Sequence, residues 1–229
     1  MASYFARIEE RKKCMKEYVK AYNMFLAGRY MKYIIYLLMP VLVIGASGIM
    51  LFVFPVQAVI PVAVLYIFWG EIMLEGWSFR GIAKKKNYNL EYLKTSAKWR
   101  RLLLKALIFD SIRRFISTSL ILSVVFFLLR TVRGKEGEGI TVVALLVYIL
   151  FTCFFGTLFL GITRRTENVY VNLFVIYFAV VPCWMAAGVV YSYMGNPLGV
   201  VIWGMLFAEA AAFDIRHIIK RIGGSFYDE

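Results

Sequence analysis

Apolar residues fall in long runs along this chain, and short charged stretches separate the runs. A helix that crosses a bilayer needs about 20 mostly apolar residues to span roughly 30 Å of hydrocarbon. Six runs approach or exceed that length: Tyr33–Phe54, Val56–Trp77, Ile112–Leu129, Ile140–Ile162, Val169–Tyr193 and Leu198–Phe213. Little more than Pro55 separates the first two, which predicts a tight helical hairpin. A Gly195-Asn196-Pro197 turn opens the sixth. The expected fold is therefore an all-α integral membrane protein with six transmembrane helices. One six-helix domain covers residues 32–229, with a cytoplasmic loop at 78–111. Residues 1–31 form a separate amphipathic segment.

That first segment has helical rather than span-like periodicity. Tyr4, Phe5, Ile8, Met15, Tyr18, Val19, Tyr22, Phe25 and Leu26 recur mostly at gaps of three, four and seven, so they share one helix face. Arg7, Glu10, Arg11, Lys13, Glu17 and Lys20 occupy the other face. Such a helix suits the membrane surface plane, with Tyr18, Tyr22 and Phe25 as anchors in the interface. An ordinary solvated helix packed on a partner has the same pattern. Gly28-Arg29 offers a bend into the first span. Residues 1–30 contain no apolar core of the signal-peptide kind, so no cleavable signal peptide is expected.

Composition supports membrane residence. Hydrophobic residues make up 61% of the 229, against roughly 45–50% in a soluble domain. The formal net charge is +13. A charge of that size can mark a nucleic-acid binder, but here the cations are confined to segments between apolar runs. With six spans both termini share a side. That side holds 24 of the 27 Lys and Arg; the other holds only Arg130, Arg133 and Lys135. The positive-inside rule then places both termini in the cytoplasm of a plasma-membrane protein. The opposite face has only short connections and no capture domain. Cys14, Cys153 and Cys183 lie far apart and make no CxxC pair.

The loop between the second and third spans is the most informative segment. Asn87 or Asn89 can cap a short helix through about Lys94, and Ser96 a second helix leading into the third span. Asn89, Leu90, Tyr92, Leu93 and Lys94 then form a docking element below the membrane, with Tyr88, Tyr92, Leu93 and Trp99 as anchors. The cations alone would also suit topology control and anionic lipid. The stretch NLEYLKTSAKWRRLLLKA, residues 89–106, resembles the coupling-helix region of ABC-2-type transporter permeases. In outline the resemblance extends to the amphipathic helix, the six spans and the two cytoplasmic ends. It implies the membrane subunit of an ABC exporter, working with a separate ATPase that carries ATP and Mg, and with a second copy or paralogue of the permease. The short outer loops resemble the permeases of bacterial peptide-toxin exporters, such as the phenol-soluble-modulin type. Ser192–Pro197 is shorter than the outer segment of many family members, so no extracellular gate follows from the likeness.

No G-x-x-x-x-G-K-[ST] phosphate loop occurs, so this chain is not expected to hydrolyse ATP or to be an enzyme. One His and scattered Cys leave no zinc site and no expected cofactor. His217 and Asp214 read as a surface His near a carboxylate at the cytoplasmic edge.

Charges at membrane depth are expensive and mark candidate sites. Glu71 and Glu75 share a face of the second span, while Asp110, Arg113 and Arg114 flank the start of the third. One reading has Glu71, Glu75 and Trp69 lining a cytoplasm-facing cavity for a cationic amphipathic peptide. The other has the carboxylates paired with Arg113, Arg114 or Arg80, which suits Glu75 better. Glu209 reads as structural. The small residues Gly45 to Gly48 permit close approach of either the second span or another copy. The competing functions are a substrate-capture module of a vitamin importer and a non-transporting membrane enzyme or immunity protein. The first wants outer loops, and the second a polar constellation at one membrane face.

Overall fold

The computed structural model describes residues 15–24, 30, 33–53, 55–78, 98–134, 141–165, 174 and 196–224. These are helical almost throughout, and no strand occurs among them. Six helices follow in order: α1 over residues 15–24, α2 over Ile34–Val53, α3 over Val56–Ser78, α4 over Trp99–Arg133, α5 over Val142–Arg165 and α6 over Pro197–Gly224. Four of them, α2, α4, α5 and α6, are long and apolar enough to cross a membrane. In α3 the apolar stretch is the shorter Ala58–Ile72. The expected span Val169–Tyr193 lies outside the described residues, apart from Phe174.

Helix ends follow local chemistry. Asn196 Oδ1 accepts the Gly199 N–H at 2.9 Å, with Pro197 as the first helical residue of α6. Thr141 Oγ1 does the same for Ala144 at 3.1 Å and starts α5. Gly134, at φ +52, ends α4, and its N–H bonds the Arg130 carbonyl. The first turn of α2, Ile34–Leu38, is π-helical, and the Met39 N–H closes it onto the Ile34 carbonyl.

α4 merges the apolar run Ile112–Leu129 with the helix expected to lead into it. It begins at Trp99 with Lys98 as its N-cap and no side-chain cap bond, so residues 99–111 of the expected loop are helical; Ser96 lies outside the described residues. The reason lies in its first turns, where Leu103, Ala106, Leu107 and Asp110 keep helical spacing and are all buried. The charges between them do not interrupt the buried stripe. At 1.5 Å per residue, its 35 residues reach about 52 Å, well beyond the roughly 30 Å of a hydrocarbon core.

α5 is the central helix: 56% of its apolar window is buried, against 22% for α6 and 28% for α2. Along the α5–α6 contact, residue numbers rise together. Leu150 lies against Gly204, Phe151 against Trp203, and Arg164 bonds Asp214. The two helices therefore run parallel, which puts Arg165 and Pro197 at opposite ends of the bundle. α2 and α3 form the expected hairpin, with the Met39 side chain filling the space above Gly70.

Candidate functional site: a buried ionic hub

Four helices converge on one polar cluster. Asp110, fully buried, is its centre. It sits at i−3 and i−4 from Arg113 and Arg114, so all three side chains leave α4 on one side. Arg113 places Nε at 3.3 Å and Nη2 at 3.2 Å from Asp110 Oδ1. Arg114 Nη2 donates to Oδ2 at 2.6 Å. Arg164, near the end of α5, donates to the same oxygen at 2.6 Å, and through Nη1 to Asp214 of α6 at 3.1 Å. Arg113 also reaches α3, where it grips Glu71 with both terminal nitrogens, at 3.1 and 2.7 Å. A bidentate fork of this kind is the strong form of an Arg–carboxylate bond.

Three carboxylates therefore meet three guanidiniums, and the described cluster is neutral. All six side chains are buried. Moving an isolated ion into a low-dielectric interior costs several kcal/mol. Neutral pairing with multiple bonds offsets that cost. Breaking a pair by removing one member does not.

One member is incompletely used. Arg114 Nε and Nη1 are buried without a hydrogen-bond partner. Further along α4, at i+4, Thr118 is also buried, as is Cys153 of α5. Asp110, Arg114 and Thr118 thus form a polar ladder on the face that meets Arg164 and Cys153. The α5–α6 contact, by contrast, is built on Trp203 against Phe151, Phe154 and Phe155, at 5.1, 5.7 and 6.0 Å.

The expected site residues are placed differently from the cavity reading. Glu71 faces Arg113 rather than an open cavity, because a buried carboxylate needs a counter-ion and Arg113 is within reach. Trp69 is half exposed on another side of α3, so Glu71 and Trp69 do not share a cavity. The side chain of Glu75 lies outside the described residues, as do Asn89, Leu90, Tyr92, Leu93 and Lys94.

The anchor reading of the first helix also changes. Tyr22 is buried in protein, 5.3 Å from the Phe109 ring and 6.0 Å below the Arg113 guanidinium. Tyr18 lies under the Lys105 ammonium, which is salt-bridged to Glu17. α1 thus clasps the first turns of α4 with its aromatic stripe, Tyr22 meeting Phe109 and Arg113 and Tyr18 meeting Lys105. Phe25 lies outside the described residues. Asp214 is likewise no surface partner of His217. It is buried against Arg164, and His217 stacks on Phe213 at 5.9 Å.

In the sequence Arg164 is marked only as a cation at the end of a span, and nothing local signals its place in the hub. Two arginines close the fourth apolar run, and only the three-dimensional arrangement sets Arg164 inward. Among the described residues no group of His, Cys, Asp or Glu is arranged to hold a metal ion. A second feature lies at the opposite end of the bundle. There Gly45, Gly48, Phe52 and Val53 of α2, with Leu128 and Val132 of α4, line an open apolar groove of about 410 Å³. A Cβ on Gly45 or Gly48 would meet nothing within 4 Å, so neither glycine serves the contact with α3.

Compared with known proteins, the chain matches no family model, no curated protein and no solved structure.

Proposed function

We propose that this chain is the membrane permease subunit of an ATP-driven exporter of the ABC-2 type. It works with a separate ATPase chain that binds ATP and Mg, and it moves an amphipathic substrate out of the cytoplasm or inner leaflet. The observation that carries this reading is α4. Its 35 residues reach about 52 Å, longer than roughly 30 Å of hydrocarbon, and α1 is clasped to its first turns, at the end where the ionic hub lies. A soluble subunit docked on residues 89–94 would push on the first turns of α4, which lead to Asp110, the point where α4 is tied to α3 and α5. The 24-to-3 cation asymmetry favours cytoplasmic termini and a plasma-membrane location. The open Gly45–Gly48 face of α2 favours a second copy or paralogue beside it, since small residues let membrane helices approach closely. The cationic-peptide preference is not retained, because Glu71 is already engaged by Arg113.

Co-purification tests the reading. Tyr92→Asp with Leu93→Asp is expected to abolish capture of the ATPase chain while leaving membrane insertion intact. Retention of the ATPase by that variant, or absence of any ATPase bound to the unaltered chain, sinks the proposal.

A further inference from the structure

The outward side of α6 carries an apolar stripe. Leu198, Val201, Met205, Ala208 and Ala212 recur at gaps of three and four, and all are exposed. Glu209 stands in that stripe and is exposed too. It lies 12 residues after Pro197, the first residue of α6, which is about 18 Å along the helix. In roughly 30 Å of hydrocarbon entered at Pro197, that leaves about 12 Å to the other boundary, and a Glu side chain is shorter than either distance. The adjoining turns offer no counter-ion, since Met205, Leu206, Ala212 and Phe213 fill the i±3 and i±4 positions. Among the described residues none bonds the Glu209 carboxylate. The rest of the chain has no cation to send there. Of the six apolar runs only Ile112–Leu129 contains any, Arg113 and Arg114, and both are buried and bonded to Asp110. The expected fifth run, Val169–Tyr193, has no Lys, Arg or His. A second copy would therefore bring another carboxylate to this depth, not a cation.

We propose that the outward face of α6 docks a transmembrane helix of another protein, one that carries a Lys or Arg at the depth of Glu209. A charge facing hydrocarbon is costly, and charges at membrane depth pair with one another. The buried carboxylates of this chain follow that rule through the hub, and Glu209 is left to be matched from outside. Ala208 and Ala212, one turn apart beside it, let a partner backbone come close enough for the cation to reach the carboxylate. Met205, 56% exposed, adds apolar contact one turn away. This face is distinct from the Gly45–Gly48 face of α2, and the inference does not depend on the transport reading.

The test uses the full chain with Cys153→Ser and Cys183→Ser, dye-labelled at Cys14 and reconstituted in phosphatidylcholine vesicles. The probes are three synthetic membrane helices of about 22 Leu and Ala residues, identical except for a central Lys, Leu or Glu, each carrying an acceptor dye. Energy transfer against helix content measures binding. The Lys helix is expected to bind about tenfold more tightly than the Leu helix, within the range of polar contacts between membrane helices, and the Glu helix most weakly. Glu209→Leu should bind the Lys helix no better than the Leu helix. Where that variant fails to insert, Glu209→Gln, which keeps the shape, should lower the Lys preference by at least about threefold. Equal binding of the Lys and Leu helices to unaltered Glu209 overturns the proposal, since the face is then merely apolar. A Lys preference that survives loss of the Glu209 carboxylate overturns it as well. So does a Glu helix bound as tightly as the Lys helix, because paired carboxyls would then satisfy the site and a second copy of the chain would be its occupant.

Discussion

Asp110 and Arg164 are 54 residues apart in sequence and meet at 2.6 Å inside the bundle, with 1% of either side chain exposed. Their bond ties the long helix α4 to the central helix α5. Because Asp110 also takes both neighbouring arginines of its own helix, one carboxylate bonds three cations, whose charge Glu71 and Asp214 help to balance.

Removing that carboxylate leaves buried guanidiniums without a partner. Asp110→Ala is expected to destabilise the fold by roughly 3–5 kcal/mol, the range for breaking one side of a buried pair. Thermal unfolding in detergent micelles measures it. A loss below about 1 kcal/mol, the level of an exposed pair, would show that the hub is not buried as described.

The Glu71–Arg113 fork invites a double-mutant cycle. Glu71→Gln and Arg113→Gln should each cost roughly 3–5 kcal/mol. The double variant should cost less than their sum by about 0.5–3 kcal/mol, since the two groups interact directly. Additive losses would place the two side chains apart and reopen the cavity reading of Glu71.

Much of the architecture is legible from sequence because it depends on neighbours in the chain. Pro55 sets the α2–α3 hairpin, and Asn196-Pro197 and Thr141 start helices through their own side chains. Helical periodicity also places the aromatic stripe of α1. It does not say what the stripe covers, and Tyr22 turned out to meet Phe109 and Arg113 rather than lipid. The hub is harder to read for the same reason. Asp110, Arg113 and Arg114 stand out together, but Arg164 and Asp214 lie at remote positions that only tertiary packing brings in. The helix leading into the third span is legible too, since the stripe Leu103-Ala106-Leu107-Asp110 keeps helical spacing through the charges.

Tyr22 provides a test of the α1 clasp. Tyr22→Ala removes a large buried ring, a change that costs roughly 3–5 kcal/mol when the ring is fully packed. Because α1 is short, the effect should appear as release of the segment from α4. Limited proteolysis of residues 15–24 is expected to speed up by tenfold or more (about 1.4 kcal/mol per factor of ten), while the rest of the chain stays protected. Unchanged cleavage would return Tyr22 to a lipid-facing role.

The two glycine environments on α2 and α3 predict opposite responses. A side chain on Gly70 runs into the Met39 thioether. Gly70→Leu should therefore cost roughly 1–3 kcal/mol through overpacking, and Met39→Ala should recover part of the loss. Gly45→Leu enters open space and should leave the unfolding temperature of the isolated chain within about a degree, since surface changes stay within ±0.5 kcal/mol. If Gly45→Leu instead lowers the mass of the purified complex, α2 carries the contact with the second copy.

The parallel course of α5 and α6 predicts the topology of the chain between them. Arg164 and Asp214 both lie at the hub end, and Pro197 stands 17 residues before Asp214, about 26 Å along a helix. A chain leaving Arg165 at the hub end must reach Pro197 at the opposite end, so it crosses the bilayer an odd number of times. One crossing is the economical number for 31 intervening residues, since a span needs about 20. The expected run Val169–Tyr193 meets that length. Short epitope tags inserted directly after Arg165 and directly before Pro197 should therefore be reached from opposite sides of the membrane. The cation asymmetry further predicts that the Arg165 tag is cytoplasmic and the Pro197 tag is not. Antibody binding to intact and permeabilised cells reads both. Two tags on the same side would make the number of crossings even and would contradict the parallel packing of α5 and α6. Opposite sides with the Pro197 tag in the cytoplasm would keep the packing and reverse the orientation, placing the hub and the basic segment outside, where no ATPase subunit could dock.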